Sequence, residues 1–234
     1  MSVTENLAAI RDRIATAALR ASRNSEEIAL MAVSKTHPPE LIREAYAAGQ
    51  KLFGENRVQE FSVKAPLLAD LTEAGYHMIG HLQTNKSAKA VEFFAAIDSI
   101  DSVKLADKLN AAAHELNKTL DVLIEINVGG EAAKTGISAE SEELENLLQS
   151  APRLETVKFR GLMTVPPFTE DPEGARSYFR KLRELRDTIA ARKLPGIRMD
   201  VLSMGMSHDF EVAIEEGSTC VRVGTAIFGE RKKN

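Results

Sequence analysis

Eight short apolar runs, alternating with stretches that carry apolar residues at helical spacing, constrain this chain more than any other feature. The runs cover residues 28–35, 51–55, 76–82, 95–100, 121–129, 159–165, 200–206 and 220–227. Helical patterns fill the gaps: Pro38 to Ala48, Val58 to Glu73, Asn85 to Phe94, Val103 to Asn117, Ala139 to Ser150, Pro172 to Arg192 and Asp209 to Glu216. Pro38 and Pro39 mark a helix start, Gly49, Gly75 and Gly217 mark stops, and Ser138 or Ser207 stands where an N-cap belongs. Only seven helices fit between eight strands. The amphipathic segment Ser2 to Ala21, opened by the capping-box pattern Ser2-Val3-Thr4-Glu5, supplies the eighth. The predicted fold is α/β: a single (β/α)8 TIM-type barrel over residues 1–234, with the N-terminal helix completing the ring.

A chain of 234 residues suits one such domain, which buries roughly 70–75% of its unfolded surface. The net charge of −4 gives no global attraction to nucleic acid or to an anionic membrane, so a bound anion must be held locally. One cysteine, Cys220, rules out an intrachain disulfide and a cysteine-rich zinc site and suits a reducing compartment. Glu5, Arg11, Asp12 and Arg13 interrupt the N-terminal apolar positions, unlike a signal peptide, and no apolar run approaches the ~20 residues of a membrane span. A cytoplasmic protein is expected.

In a barrel, reactive groups gather at the C-terminal ends of the strands, and a phosphate commonly sits on the loops after strands 7 and 8. Lys35 closes the first run, Asn56 follows the second, His77 and His81 flank the third, and Asn127 lies late in the fifth. Ser203, Gly205 and Ser207 end the seventh run, and Arg222, Gly224 and Thr225 lie in the eighth. An amine at one strand tip, with an Arg and a small-residue loop at another, suits an aldehyde that carries a phosphate. That combination points to pyridoxal phosphate.

Plainer roles compete. Lys35 can simply end an apolar strand with its ammonium in solvent, and Gly224 can relax a barrel corner. Ser207, with Asp209 and Glu211, is most simply a capped helix start. His77 and His81 share a strand face but lie roughly 13 Å apart, too far for one metal, and no other histidine has a partner at ligand spacing. No metal site is expected, and Cys220 reads as a small buried residue.

Six strings resemble the signatures of the pyridoxal phosphate homeostasis protein family, whose barrel is that of the alanine-racemase superfamily without its second domain. They are Ala32-Val33-Ser34-Lys35-Thr36, Phe53-Gly54-Glu55-Asn56-Arg57-Val58-Gln59-Glu60, His77-Met78-Ile79-Gly80-His81-Leu82-Gln83, Arg160-Gly161-Leu162-Met163, Leu202-Ser203-Met204-Gly205-Met206-Ser207 and Arg222-Val223-Gly224-Thr225-Ala226-Ile227-Phe228-Gly229. The resemblance runs in order from about residue 5 to 230. It implies a Schiff base on Lys35, Asn56 and His77 along the cofactor ring, and Arg222 facing the pyridine nitrogen. It also implies a phosphate held by Ser203, Gly224 and Thr225, with Met206 and Ser207 extending that loop.

An arginine stays protonated and leaves the ring nitrogen a weak electron sink. None of Tyr46, Tyr76 and Tyr178 falls at a strand's C-terminal end to act as a second acid or base. The expectation is a non-enzymatic carrier that buffers or delivers pyridoxal phosphate, with apo-enzymes as transient recipients and a monomer as the default state. The alternatives are a weak amino-acid racemase using Lys35 and a histidine, and a cofactor-free aldolase acting through Lys35.

Overall fold

The computed structural model of the protein describes residues 2–131 and 135–230. Eight parallel strands close on themselves in sequence order: β1 (Ala29–Val33), β2 (Leu52–Glu55), β3 (Gly75–Met78), β4 (Ala96–Ile100), β5 (Leu120–Glu125), β6 (Val157–Met163), β7 (Ile197–Met206) and β8 (Cys220–Val223). The ring closes where β1 lies along β8, from Ala29 opposite Cys220 to Ala32 opposite Val223. Around it run α1 (Val3–Arg20), α2 (Pro39–Ala47), α3 (Val58–Lys64), α4 (Ser87–Phe93), α5 (Val103–Glu115), α6 (Glu142–Ser150), α7 (Arg176–Ala191), α8 (Phe210–Glu215) and a single turn, α9 (Thr225–Phe228). The expected TIM-type barrel is the fold.

The N-terminal helix joins the outer ring as anticipated. Its face of Val3, Leu7, Ile10, Ile14, Ala17 and Ala18 is buried, and it packs on α8, α9 and α2. Ser2 and Glu5 form the capping box, Asn6 Nδ2 donates to the Ile227 carbonyl at 2.9 Å, and Arg13 and Arg20 pair with Glu211 at 2.8 and 3.2 Å.

Several boundaries differ from the sequence pattern, each for a local reason. The run 76–82 yields only the short β3, because Gly80 turns against the Asn56 backbone, where a Cβ would collide with its carbonyl oxygen. The run 220–227 stops as a strand at Val223, and Gly224 hands over to α9. Gly75 opens β3 instead of closing a helix, its N–H donating to the Lys51 carbonyl at 2.8 Å. Helix α6 is capped by Ser141, whose Oγ accepts from Leu144 N–H at 3.3 Å, and not by Ser138. Pro66 ends α3 early and starts a 3₁₀ turn. At Gly161 the β6 backbone comes so close to Val201 of β7 that no side chain fits.

Candidate functional site

The C-terminal rim carries an open cavity of about 570 Å³, within the roughly 300–1,000 Å³ of small-molecule sites. Lys35, Asn56, Ser207, Arg222, Gly224 and Thr225 all line it. They reach it from the ends of β1, β2, β7 and β8, so residues up to 190 positions apart in the chain share one wall.

Lys35 sits in the turn just beyond β1, and that turn is firmly held. Thr36 is in the left-handed region at φ 65°, an uncommon place for a β-branched residue. Its N–H donates to Glu60 Oε1 at 2.6 Å, His37 N–H donates to the Ser34 carbonyl at 3.1 Å, and the His37 ring lies 5.1 Å from that of Phe228. Beneath the turn Lys64, almost wholly buried, reaches Glu55 at 3.0 Å, Glu60 at 2.6 Å and the Ser34 carbonyl at 3.1 Å. Ser34 Oγ also donates to Glu55, at 2.8 Å. Burial pushes the Glu55 carboxyl above its ordinary value. Burial acts the same way on Glu60, but its bonds from Lys64 and Thr36 outweigh it and the pKa falls. The sequence signals this ionic platform only through the i,i+4 spacing of Glu60 and Lys64, that of a helical ion pair.

Arg222 is buried in β8, its guanidinium donating to Ser203 Oγ at 2.7 Å and to the Thr164 carbonyl at 2.6 Å. Burial lowers its pKa, against the nearby negative charges of Asp98, Glu125 and Asp209. Ser207 does not cap α8: the N-cap is Asp209, whose carboxylate accepts from Met206 N–H at 2.6 Å. The Ser207 hydroxyl instead accepts from the N–H groups of Gly224 and Ala226 at 3.3 and 3.5 Å, longer than the usual 2.9–3.0 Å of such bonds. Those donors are therefore only weakly engaged.

Two expected site residues lie elsewhere. His77, the third of the four β3 residues, lines a separate hollow with Ala29, Leu52 and Ala96, which open β1, β2 and β4, and there its Nδ1 meets buried Asp98 at 3.1 Å. Burial lowers the His77 pKa, but the charge and hydrogen bond of Asp98 more than offset that and raise it. Four residues along, His81 does reach the cavity and pairs with Asp101 at 3.0 Å. Ser203 is fully buried beneath the cavity, where it orients Arg222 instead of lining the phosphate loop. Gly205, at φ 93°, makes room for Phe210 and Ala213 of α8, and this packing accounts for its lack of a side chain.

The cavity also holds two buried oxygens with no hydrogen-bond partner, Asn56 Oδ1 and Glu125 Oε2. Buried acceptors of this kind are normally satisfied. Both residues line space sized for a ligand. With an amine, an arginine and loosely bound backbone N–H groups on the same wall, they suit pyridoxal phosphate. Among the described residues no group of three or more His, Cys, Asp or Glu side chains is placed to hold a metal, and no helix is long and apolar enough to cross a membrane. Cys220 is buried, and burial pushes its thiol up to about 12.

Residues 6–232 match the family model described as alanine racemase, N-terminal domain. The chain is 50% identical over 232 residues to the pyridoxal phosphate homeostasis protein of Aquifex aeolicus (strain VF5), covering 99% of this chain and 100% of that one. This chain belongs to the pyridoxal phosphate homeostasis protein family. Its Escherichia coli (strain K12) member is 44% identical, with 98% and 97% of the two chains covered. Among solved structures, PipY of Synechococcus elongatus PCC7942 with PLP bound matches at a TM-score of 0.84 and 37% identity, over 97% of this chain and 100% of that one. Nearly end-to-end coverage of these relatives means that the barrel described here spans the length of the pyridoxal phosphate homeostasis proteins it resembles.

Proposed function

We propose that this protein binds pyridoxal phosphate on Lys35 and buffers or delivers it, without turning over amino acids. The convergence of Lys35, Asn56, Ser207, Arg222, Gly224 and Thr225 on one cavity carries this reading, and the pyridoxal phosphate homeostasis proteins and PLP-bound PipY to which the chain is similar support it. When bound, the cofactor supplies an aldehyde that condenses with a primary amine to a Schiff base, releasing water. The protein's part is positional. Lys35 presents the amine from a rigid turn, and the N–H groups of Gly224 and Ala226, with the Thr225 and Ser207 hydroxyls, hold the phosphate.

Arg222 sets the limit on chemistry. Fixed by Ser203 and Thr164, it would donate to the ring nitrogen of a bound cofactor without surrendering a proton, which would leave that ring a weak electron sink. Among the described residues lining the cavity there is no tyrosine. A racemase would have to recruit His37, His81 or His208, all of which line the cavity, as its second base. Exchange of amino-acid α-protons in deuterated water decides between the two. The carrier gives no sustained exchange, and turnover near the ~10 s⁻¹ typical of enzymes overturns it. As part of the same proposal the protein acts in the cytoplasm as a monomer, with apo-enzymes as transient recipients.

The phosphate seat has its own test. Thr225→Ala is expected to weaken binding by about 1 kcal/mol, the contribution of one hydrogen bond, with a charged acceptor raising it. Pyridoxal lacking the phosphate should bind far more weakly in an absorbance titration. Equal affinity for the two forms would place the phosphate site elsewhere.

A further inference from the structure

Glu125 lies at the end of β5 and lines the cofactor cavity while only 5% exposed. No role in holding the aldehyde form has been given to it. Its Oε1 accepts from Thr135 Oγ1 at 2.7 Å, and its Oε2 is buried without a partner. Packing does not explain the choice of residue, because an apolar side chain there would leave no unpaired oxygen. Glu55 also has one unpaired oxygen, but its other oxygen is fixed by Lys64 and it lies outside the cavity lining. Glu125 has only a neutral hydroxyl on its bonded side, and its remaining oxygen is left without a donor although the residue lines the cavity.

The aldehyde form of the cofactor brings acceptors to such a wall: a carbonyl oxygen and a phosphate. Its aminomethyl counterpart brings an ammonium with three donors. In a partly desolvated cavity an ammonium on a carboxylate makes a charge-assisted bond, the kind that compensates a buried anion. We infer that Glu125 anchors a recognition point for a primary ammonium group in the cofactor cavity, so that the protein binds the aminomethyl form of the cofactor without a covalent bond. This rests on the pyridoxal phosphate reading above and extends it to a second ligand class. Burial, helped by the charge of Asp101, pushes the Glu125 carboxyl up, while Thr135, Arg222 and His81 pull it down. A ligand cation would favour its charged form. The amine form would then leave by simple dissociation, whereas the aldehyde form must first be released from Lys35.

Pyridoxamine 5′-phosphate and pyridoxine 5′-phosphate differ by an ammonium in place of a hydroxyl, and equilibrium dialysis of the full chain against each measures the contrast. The wild type is expected to prefer the amine form at least tenfold. In Glu125→Gln the ratio should fall to near one, and Glu125→Asp should restore part of it. Equal affinities in the wild type, or a preference that survives Glu125→Gln, overturn the inference; the wild-type comparison stands alone if the variant does not fold. A titration with pyridoxal 5′-phosphate separates the two levels. If it gives the visible band but the amine form is not preferred, only the Glu125 assignment fails. If no phosphorylated form binds, the cofactor reading fails and this inference with it.

Discussion

Lys35→Ala should abolish the visible absorbance of the pyridoxal phosphate complex and the adduct that borohydride fixes. Among the described lysines, Lys35 is the one that lines the cavity, and it shares that wall with Gly224 and Thr225. Lys64 is near in space but held by Glu55, Glu60 and the Ser34 carbonyl, so its amine is committed to the platform below. Lys86 ends the 3₁₀ turn before α4, and Lys89 sits on α4 paired with Glu92 at 3.1 Å. Lys134, a further candidate for brief acceptance of the cofactor during handover, lies outside the described residues. Peptide mapping after reduction is decisive: an adduct on Lys64, Lys86, Lys89 or Lys134 instead of Lys35 would sink the assignment.

Lys64→Ala should produce the largest loss of stability among single changes near the site. It removes the cation from a buried cluster and leaves Glu55, fully buried, with only the Ser34 hydroxyl. Breaking a buried pair from one side costs on the order of 3–5 kcal/mol, or about 10 °C in the unfolding midpoint of a chain this long. The pH dependence has a definite sign. Burial already raises the folded-state pKa of Glu55 above its ordinary 4.5 against the pull of Lys64, and removing Lys64 takes that pull away. Stability linked to this group is fully present below about 4.5 and is lost as pH rises through the raised value. The variant should therefore be hurt less at pH 5 than at pH 8. Pairing it with Glu55→Gln should recover part of the loss, and cofactor affinity should fall in the single variant because the Ser34 carbonyl precedes Lys35. A loss under about 1 kcal/mol that ignores pH, as for an exposed pair, would show that the cluster is solvated.

The sequence by itself determined the barrel and most of one wall of the site. A strand covered on both faces has to be apolar nearly throughout, and the helices over it have to be apolar on one side. Eight alternations of that signal leave little else to build. Once the barrel is given, residues late in the apolar runs or just past them fall on one rim, which placed Lys35, Asn56, Ser207, Arg222, Gly224 and Thr225 together. Only the tertiary structure decided what each then touches. His77 and His81 are four residues apart, yet the strand ends at Met78 and the chain turns at Gly80, so one meets Asp98 in a separate hollow and the other reaches the rim with Asp101. Ser203 and Ser207 look alike in the chain. One is buried under Arg222 and the other accepts from the turn after β8, because the pleat and the bend at Gly205 set their depth. The Lys64 platform and the unpaired oxygen of Glu125 depend on distances between side chains from different strands and helices. Periodicity fixes which face a residue takes, while its partner across the barrel is fixed by packing among segments far apart in sequence.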